Sequence, residues 1–316
     1  MCYNYFIIIQ EGVLFFMGSF EPVGIGHRDR ISRYLDLYPS NQASEYTFTN
    51  LFIWGGAEHI EFMETERFLL LRSWPKGILH YLMAFAEDSA LEEALDAAIA
   101  SAKAAGQRFS MHSLPLWYCD KLRTIMPGRF RITREDRLDD YVYASDDLIN
   151  LRGKIYQAKR NHINRFMSIY GRRHEYAKYD ISMADDCMMI YDEWMSAHEI
   201  TDELRGERDS VFRALYHANE LAAVGGVILV DGRPEAFSMG ERLTDDMAVI
   251  HIEKANPRIP ELFSLINREF VSHEFSAYAW INREEDMGNE GLRRAKQSYH
   301  PAMMIEKYNA VLTEDL

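Results

Sequence analysis

Residues 227–230, 235–242 and 247–254 are three apolar, strand-length runs joined only by Asp231-Gly232 and Thr244-Asp245-Asp246. Connections this short force neighbouring strands to pair antiparallel, because a parallel return needs a crossover of about a dozen residues or more. A helical run follows at 260–273, with Pro260 near its first turn, then a strand at 278–282, a helix at 290–297 and a strand at 302–308. A meander that continues into helix and strand folds as a mixed sheet covered by helices.

The first half of the chain has a similar rhythm. A short amphipathic helix at 29–37 ends before Pro39, and the aromatic stretch 44–54 opens a β region continued at 58–63, 68–72 and 80–85. An alanine-rich helix at 90–105 carries acids early and Lys103 late and stops at Gly106. A strand at 109–112, a helix at 116–125 and a strand at 141–143 close the unit. Next come a helix at 154–170, a strand at 174–179 and helices at 184–199 and 209–220. The 316 residues exceed one ordinary core, since domains usually run about 100–200 residues. We therefore expect two α+β domains, 18–145 and 146–316, divided within the charge-dense stretch 140–151, with the site in the second. No sequence repeat relates the halves, so the duplication is read from element order alone.

The formal net charge of −14 excludes a global basic footprint for nucleic acid, so an RNA or anionic-lipid partner needs a local basic surface. Cys2, Cys119 and Cys187 are far apart and form no CxxC pair, which fits a reducing cytoplasm without disulfides or a zinc site. Residues 5–17, YFIIIQEGVLFFM, are too short to span a bilayer, which takes about 20 apolar residues, and lack a basic n-region. They read as an extra strand or as sequence upstream of a true start at Met17. No other segment is expected to span a membrane.

From Leu151 to His174 the chain holds no acid and seven Lys or Arg: Arg152, Lys154, Lys159, Arg160, Arg165, Arg172 and Arg173. At 100° per residue, Ile155, Ile163, Phe166, Met167, Ile169 and Tyr170 share one arc. Lys159 and His162 fall inside that arc, whereas Arg160, Asn161, Asn164 and Arg165 lie outside it. A lysine on an apolar face either snorkels past the core edge or lines a cleft that receives an anionic substrate. His162 either makes one buried hydrogen bond or shares that cleft. The outward charges are a solvated face or track a phosphate backbone.

Alternation along 247–254 puts Val249, His251 and Glu253 on one side and Ile250 and Ile252 on the other, with Glu241 sharing the polar face. Polar residues there mark a cleft on a central strand, or a wet face on an edge strand. Asn282-Arg283-Glu284-Glu285-Asp286-Met287-Gly288 then ends a strand and opens a loop, followed by Gly291-Leu292-Arg293-Arg294-Ala295-Lys296-Gln297-Ser298-Tyr299-His300-Pro301. Such polar density at a strand end is typical of binding loops. Arg283 and Arg293 offer rigid forks for carboxylate or phosphate, and Glu284 and Asp286 can hold an amino group or orient those arginines. Asn282, Lys296 and Tyr299 are further binding candidates. G-x-S-x-G, HExxH, P-loop and GxGxxG motifs are absent.

The stretches Ser44-Glu45-Tyr46-Thr47-Phe48-Thr49-Asn50-Leu51 and Ala158-Lys159-Arg160-Asn161-His162-Ile163-Asn164-Arg165-Phe166, with the two motifs at 281–288 and 291–301, resemble the phosphatidylglycerol lysyltransferase C-terminal domain family. The resemblance spans about residues 20–310. It implies a tandem GNAT fold, shared with Fem-type peptidyltransferases, whose members move an aminoacyl group from charged tRNA to an amine or a lipid hydroxyl. Acetyl-CoA enzymes of that fold follow the fourth strand with a Q/R-x-x-G-x-G/A loop whose backbone N–H groups hold the pyrophosphate. Here Lys254-Ala255-Asn256-Pro257-Arg258-Ile259-Pro260-Glu261 has no glycine, and its two prolines remove two donors. No standard CoA cradle, and no cofactor, is expected.

Three functions remain. In an aminoacyltransferase, Lys159, His162 and Arg283 stabilise charge, Glu253 or Asp286 recognises an α-amino group or accepts a proton, and Arg160 and Arg165 meet tRNA phosphate through the 152–173 segment, with Asn164 a further substrate-binding candidate. The acceptor is then a lipid, small molecule or peptide. The alternatives are an acyl-CoA N-acyltransferase with an atypical loop and a non-catalytic amino-acid or peptide-binding module.

Overall fold

The computed structural model describes residues 6–10 and 13–315. Internal contacts divide the chain into two units: Met1–Pro39, Glu45–Leu138 and Glu306–Leu316 form the first, and Ser40–Ser44 with Asp139–Ile305 form the second.

Unit 1 contains β1 (Phe6–Gln10), β2 (Val13–Met17), β3 (Glu21–Pro22), α1 (Arg28–Leu35), α2 (Phe48–Ile53), β4 (Glu61–Glu64), β5 (Phe68–Ser73), β6 (His80–Tyr81), β7 (Phe85–Ala86), α3 (Asp88–Ala104), β8 (Ser110–Pro115), α4 (Leu116–Ile125) and β9 (Phe130–Arg134). Unit 2 contains β10 (Asp140–Ala144), α5 (Ser145–Asn150), α6 (Gln157–Tyr170), β11 (His174–Lys178), α7 (Ala184–Ser196), α8 (Asp202–Tyr216), α9 (Ala218–Leu221), β12 (Val224–Val230), β13 (Arg233–Arg242), β14 (Met247–Ala255), α10 (Leu262–Glu274), β15 (Trp280–Asn282), α11 (Glu290–Gln297) and β16 (Met303–Ile305). The chain then returns to unit 1 as β17 (Lys307–Leu312). β1 and β2 form an antiparallel ribbon from the apolar N-terminal run, of which residues 5, 11 and 12 lie outside the described residues, as does Cys2. Cys119 and Cys187 are buried free thiols.

The duplication expected from element order is visible in strand order. Unit 2 runs β11-β12-β13-β14-β15-β10-β16 and is antiparallel except for β14 beside β15. Unit 1 runs β3-β4-β5-β6-β8-β17-β9, and its parallel pair is β6 beside β8. In each sheet the parallel pair is followed by two antiparallel strands, and the nearer of these, β10 or β17, is supplied from a distant part of the chain. The helix before each second parallel strand, α3 or α10, and the one after it, α4 or α11, also correspond.

Several expectations change. The division falls at 138/139 and 305/306 rather than at 145/146, so the strand expected to close the first domain sits inside the second sheet. The anticipated strand at 302–308 breaks at Glu306 and serves both sheets. Residues 48–53 are helical, not β. Thr47 caps that helix by accepting the Asn50 amide, and all six of its residues are buried, so no apolar period shows in the sequence. Helix α6 buries Ile163 and Phe166 but leaves Met167 and Ile169 exposed, as is Ile155 in the turn before it. It leans mainly on α10, and packing against one helix needs only a narrow stripe.

Candidate functional site

β14 and β15 pair only where Met247–Val249 faces Trp280–Asn282. Beyond that, β14 continues to Ala255 while the chain leaves β15 at Arg283, so two strand ends part and leave side chains between them. A bulge sits at the same level. Met239 pairs Ile252 and Gly240 pairs Ile250, which makes His251 the extra residue. A Cβ on Gly240 would lie 2.3 Å from the Val249 carbonyl oxygen, so the close approach requires glycine. The bulge also resets the alternation. Ile250 packs in the core with Phe270, and Glu253 reaches α10 on that side, while Lys254 turns to Trp194 of α7 and Glu207 of α8. Val249, His251 and Glu253 therefore do not share one face, contrary to the sequence pattern.

Four of the sequence candidates meet at this opening. Arg283 donates from Nη2 to Glu253 Oε1 at 2.9 Å. Its guanidinium carbon lies 4.9 Å from the Tyr299 ring centroid and 5.5 Å from that of Tyr143 on β10. From α6, the Lys159 ammonium reaches within 3.8 Å of the Tyr299 centroid. Burial opposes the charge on Arg283, but Glu253, Tyr143 and Tyr299 hold its pKa above the ordinary arginine value. Lys159 has no carboxylate within ion-pair distance among the described residues. Burial, then repulsion from Arg283, bring its pKa down to about 8, against a smaller upward pull from Glu253. One permanent cation and one amine of lowered pKa thus share a tyrosine ring.

Sequence reasoning missed Asn267 of α10. Its Nδ2 donates to Glu253 Oε2 at 2.9 Å, so both oxygens of Glu253 are engaged. The signal was available: Asn267 lies four residues before Val271 and three before Phe270, within the apolar arc of its helix, as Lys159 does in α6. Tyr143, Tyr156 and Ser264 were also missed. Tyr156 donates to the Tyr299 carbonyl at 3.2 Å, and Ser264 hydrogen-bonds the Tyr299 side chain.

The other candidates are placed elsewhere. His251 lies between two carboxylates, with Nε2 3.0 Å from Glu241 Oε1 and Nδ1 2.7 Å from Glu284 Oε1. Burial alone would lower its pKa, but these two partners hold it at about 10, so it is an imidazolium clamp between β13, β14 and the loop after β15. Asp286 is 1 % exposed and binds Arg293 in a fork, at 2.7 and 3.1 Å, while accepting from Tyr141 and the Gly288 amide. Despite burial, these bonds keep its pKa below the usual carboxylate value. Lys296 donates to the carbonyls of Arg283, Glu284 and Glu285, the Glu284 bond being 2.9 Å; burial lowers its pKa to about 8. Asn282 bonds the Gln42 carbonyl and Asp140, and accepts from the Glu284 amide. These residues shape the loop that presents Arg283. Glu284 and Met287 need that bracing, since both adopt positive φ.

Most of the basic segment is internally engaged. Arg160 donates to the carbonyls of Leu151 and Gly153, Arg173 pairs with Asp231, and Arg152 pairs with Asp146. His162 and Arg165 both bind Glu261, the residue preceding α10. Asn164, Lys154 and Arg172 are exposed. The Glu261 carboxylate thus stands at the helix N-terminus where a GNAT pyrophosphate would be held. With Pro257 and Pro260 lacking N–H groups, the residues at this place do not fit a pyrophosphate. A depression of about 770 Å³ in unit 1, lined by Arg33, Glu64 and Arg67 among others, holds none of the candidates; Arg33 and Arg67 are paired with Glu64 and Glu93.

Two mixed sheets of matched strand order, one with side chains converging where its parallel pair splays, define a tandem GNAT-type α+β protein. The chain belongs to the family described as phosphatidylglycerol lysyltransferase, C-terminal, which matches residues 39–311. It is similar to a solved conserved protein of unknown function from Bacteroides thetaiotaomicron, 32 % identical with a TM-score of 0.84, covering 93 % of this chain and 99 % of that one. The C-terminal domain of a putative lysylphosphatidylglycerol synthetase from Agrobacterium fabrum shares the fold at 14 % identity and a TM-score of 0.61, covering 90 % and 91 %. FemX does so at 9 % and 0.59, covering 90 % and 96 %. An uncharacterised protein of Mycoplasmoides gallisepticum is 24 % identical over 177 residues, 54 % of each chain, so this chain spans about half the length of that curated relative. No described helix is long and apolar enough to cross a membrane.

Proposed function

We propose that the chain is an aminoacyltransferase that moves an aminoacyl group from charged tRNA to an amine or hydroxyl of a small molecule, peptide or lipid. The observation that carries this reading is the meeting of Lys159, Arg283, Glu253 and Tyr299 at the splay of β14 and β15. Membership of a lysyltransferase family and a fold shared with FemX support it.

An aminoacyl ester is already activated, so the protein has to orient the reactants, carry the oxyanion and move one proton. The acceptor nitrogen or oxygen bonds the acyl carbon, the carbonyl becomes an oxyanion, and its collapse breaks the bond to the ribose oxygen. The proton lost by the acceptor ends on that leaving hydroxyl. Arg283 stays cationic and faces the oxyanion. Lys159, with a pKa of about 8, accepts and returns the proton. Glu253 orients Arg283 and Asn267 with its two oxygens and does not act as the base. The exposed Lys154 and Arg172 meet tRNA phosphate, rather than the engaged Arg160 and Arg165.

The test is release of radiolabel from a full set of charged tRNAs in the presence of candidate acceptors. Transfer should occur with at least one tRNA, and Lys159→Met and Arg283→Met should each slow it by about 10²–10³. Failure to move label from any charged tRNA, with acetyl-CoA raising the melting temperature, would replace this reading with CoA-dependent acylation.

A further inference from the structure

Glu253 holds two neighbours and leaves each with a vacant polar atom. Asn267 is 1 % exposed, and its Oδ1 has no hydrogen-bond partner among the described residues. Its orientation is fixed by chemistry, because only the NH2 side can face the Glu253 carboxylate, as it does at 2.9 Å. Arg283 uses Nη2 for the other oxygen of the same carboxylate, and its buried Nη1 is also without a partner. Buried polar atoms are ordinarily satisfied, and this orphan acceptor and orphan donor flank one carboxylate, where a single ligand could satisfy both.

We infer that Asn267 Oδ1 and Arg283 Nη1 recognise an α-amino acyl unit, the first taking its ammonium and the second its carbonyl oxygen. Resting on the transferase reading, this assigns Asn267 as the specificity residue for the amine. An α-amino acyl unit carries a donor nitrogen and an acceptor oxygen three bonds apart, the complement in kind of the vacant acceptor on Asn267 and the vacant donor on Arg283. The Glu253 charge adds attraction for the ammonium, and the Arg283 cation does the same for the carbonyl oxygen. A free amino acid and an aminoacyl ester share this unit, and the measurement separates them.

The whole protein, labelled with 15N in its asparagine side chains, is titrated with L-alanine amide, L-lysine amide, free L-alanine and L-lactamide. Lactamide replaces the ammonium with a hydroxyl and keeps the carbonyl. The amides should shift the Asn267 side-chain resonance saturably and bind at least tenfold tighter than lactamide, and Asn267→Leu should abolish that difference. Preference for free alanine over its amide would assign the site to free amino acids. Equal affinity for alanine amide and lactamide in the wild-type protein, or no binding of either amide, would overturn the inference even if Asn267→Leu fails to fold. The readout needs no reaction. Amide binding without transfer from tRNA would sink the transferase reading alone, and transfer with no preference for the amine would sink this one alone.

Discussion

Replacing Arg283 with methionine removes a cation that shares a ring with Lys159. The two charged centres lie 3.8 and 4.9 Å from the Tyr299 centroid, so they are no further apart than the sum of those distances, about 8.7 Å. At an effective dielectric of about 20, Coulomb's law puts their repulsion at roughly 2 kcal/mol or more, about 1.4 pKa units; doubling the dielectric halves it. Arg283→Met should therefore raise the Lys159 pKa from about 8 by roughly 0.7–1.4 units. Glu253→Gln removes the one upward influence and should move it the other way. The assay is reductive methylation with 13C-formaldehyde and a 1H–13C titration between about pH 6 and 11, with Lys159→Arg identifying the resonance. In wild type about a tenth of Lys159 is neutral at pH 7, against fewer than about one in a thousand for an ordinary lysine. A wild-type value above about 10, or no response to either substitution in variants that fold by circular dichroism, would refute the account of the site.

Lys296→Met should remove the ammonium shared by the Arg283, Glu284 and Glu285 carbonyls, of which that of Glu284 keeps the Tyr141 amide, and cost about 2–4 kcal/mol in urea unfolding, with faster hydrogen exchange in residues 283–287. His251 has a folded pKa of about 10 against about 6.5 when free, so its contribution is complete below pH 6.5 and is lost as pH rises through 10. The stability gap between wild type and His251→Asn should accordingly narrow from pH 7 to 10; Lys159 and Lys296, with lowered values, act oppositely over about pH 8–10.5 but cancel in the comparison. In unit 1, Lys307 is fully buried 2.6 Å from Glu45, and Lys307→Met should cost about 3–5 kcal/mol by removing the cation from that ion pair, measured by chemical denaturation. Gly240→Ala should be destabilising through its clash with the Val249 carbonyl, and a melting temperature equal to wild type would contradict the bulge geometry.

Elements with local signals were legible. Leu116–Ile125 and Glu290–Gln297 have the bounds expected, the first stopped by Pro127-Gly128 and the second capped by Asn289, which accepts from the Gly291 and Leu292 amides. The meander followed from its turns. What escaped was non-local. Residues 48–53 are buried on every side, the run at 302–308 is divided between two sheets, and one extra residue at His251 reverses a face that alternation alone would keep. At the site, Lys159 and Glu253 stood out because each is polar where an apolar residue is expected, and Asn267 carried the same signal unread. Lys296, Arg160 and Asp286 belong to the same residue types but spend their bonds on backbone carbonyls or on Arg293. Composition names a charge, whereas its partner is set by tertiary contact.

The strand that completes unit 1 is made after everything in unit 2. β17 lies between β8 and β9, yet residues 139–305 separate it from both in the chain. On the ribosome, the later sheet can close while the earlier one still has a gap, with β9 lacking its one strand partner. The sheet of unit 1 therefore cannot be completed until unit 2 has been synthesised. A nascent chain halted before residue 307 would carry one finished core beside an open, adhesive strand edge.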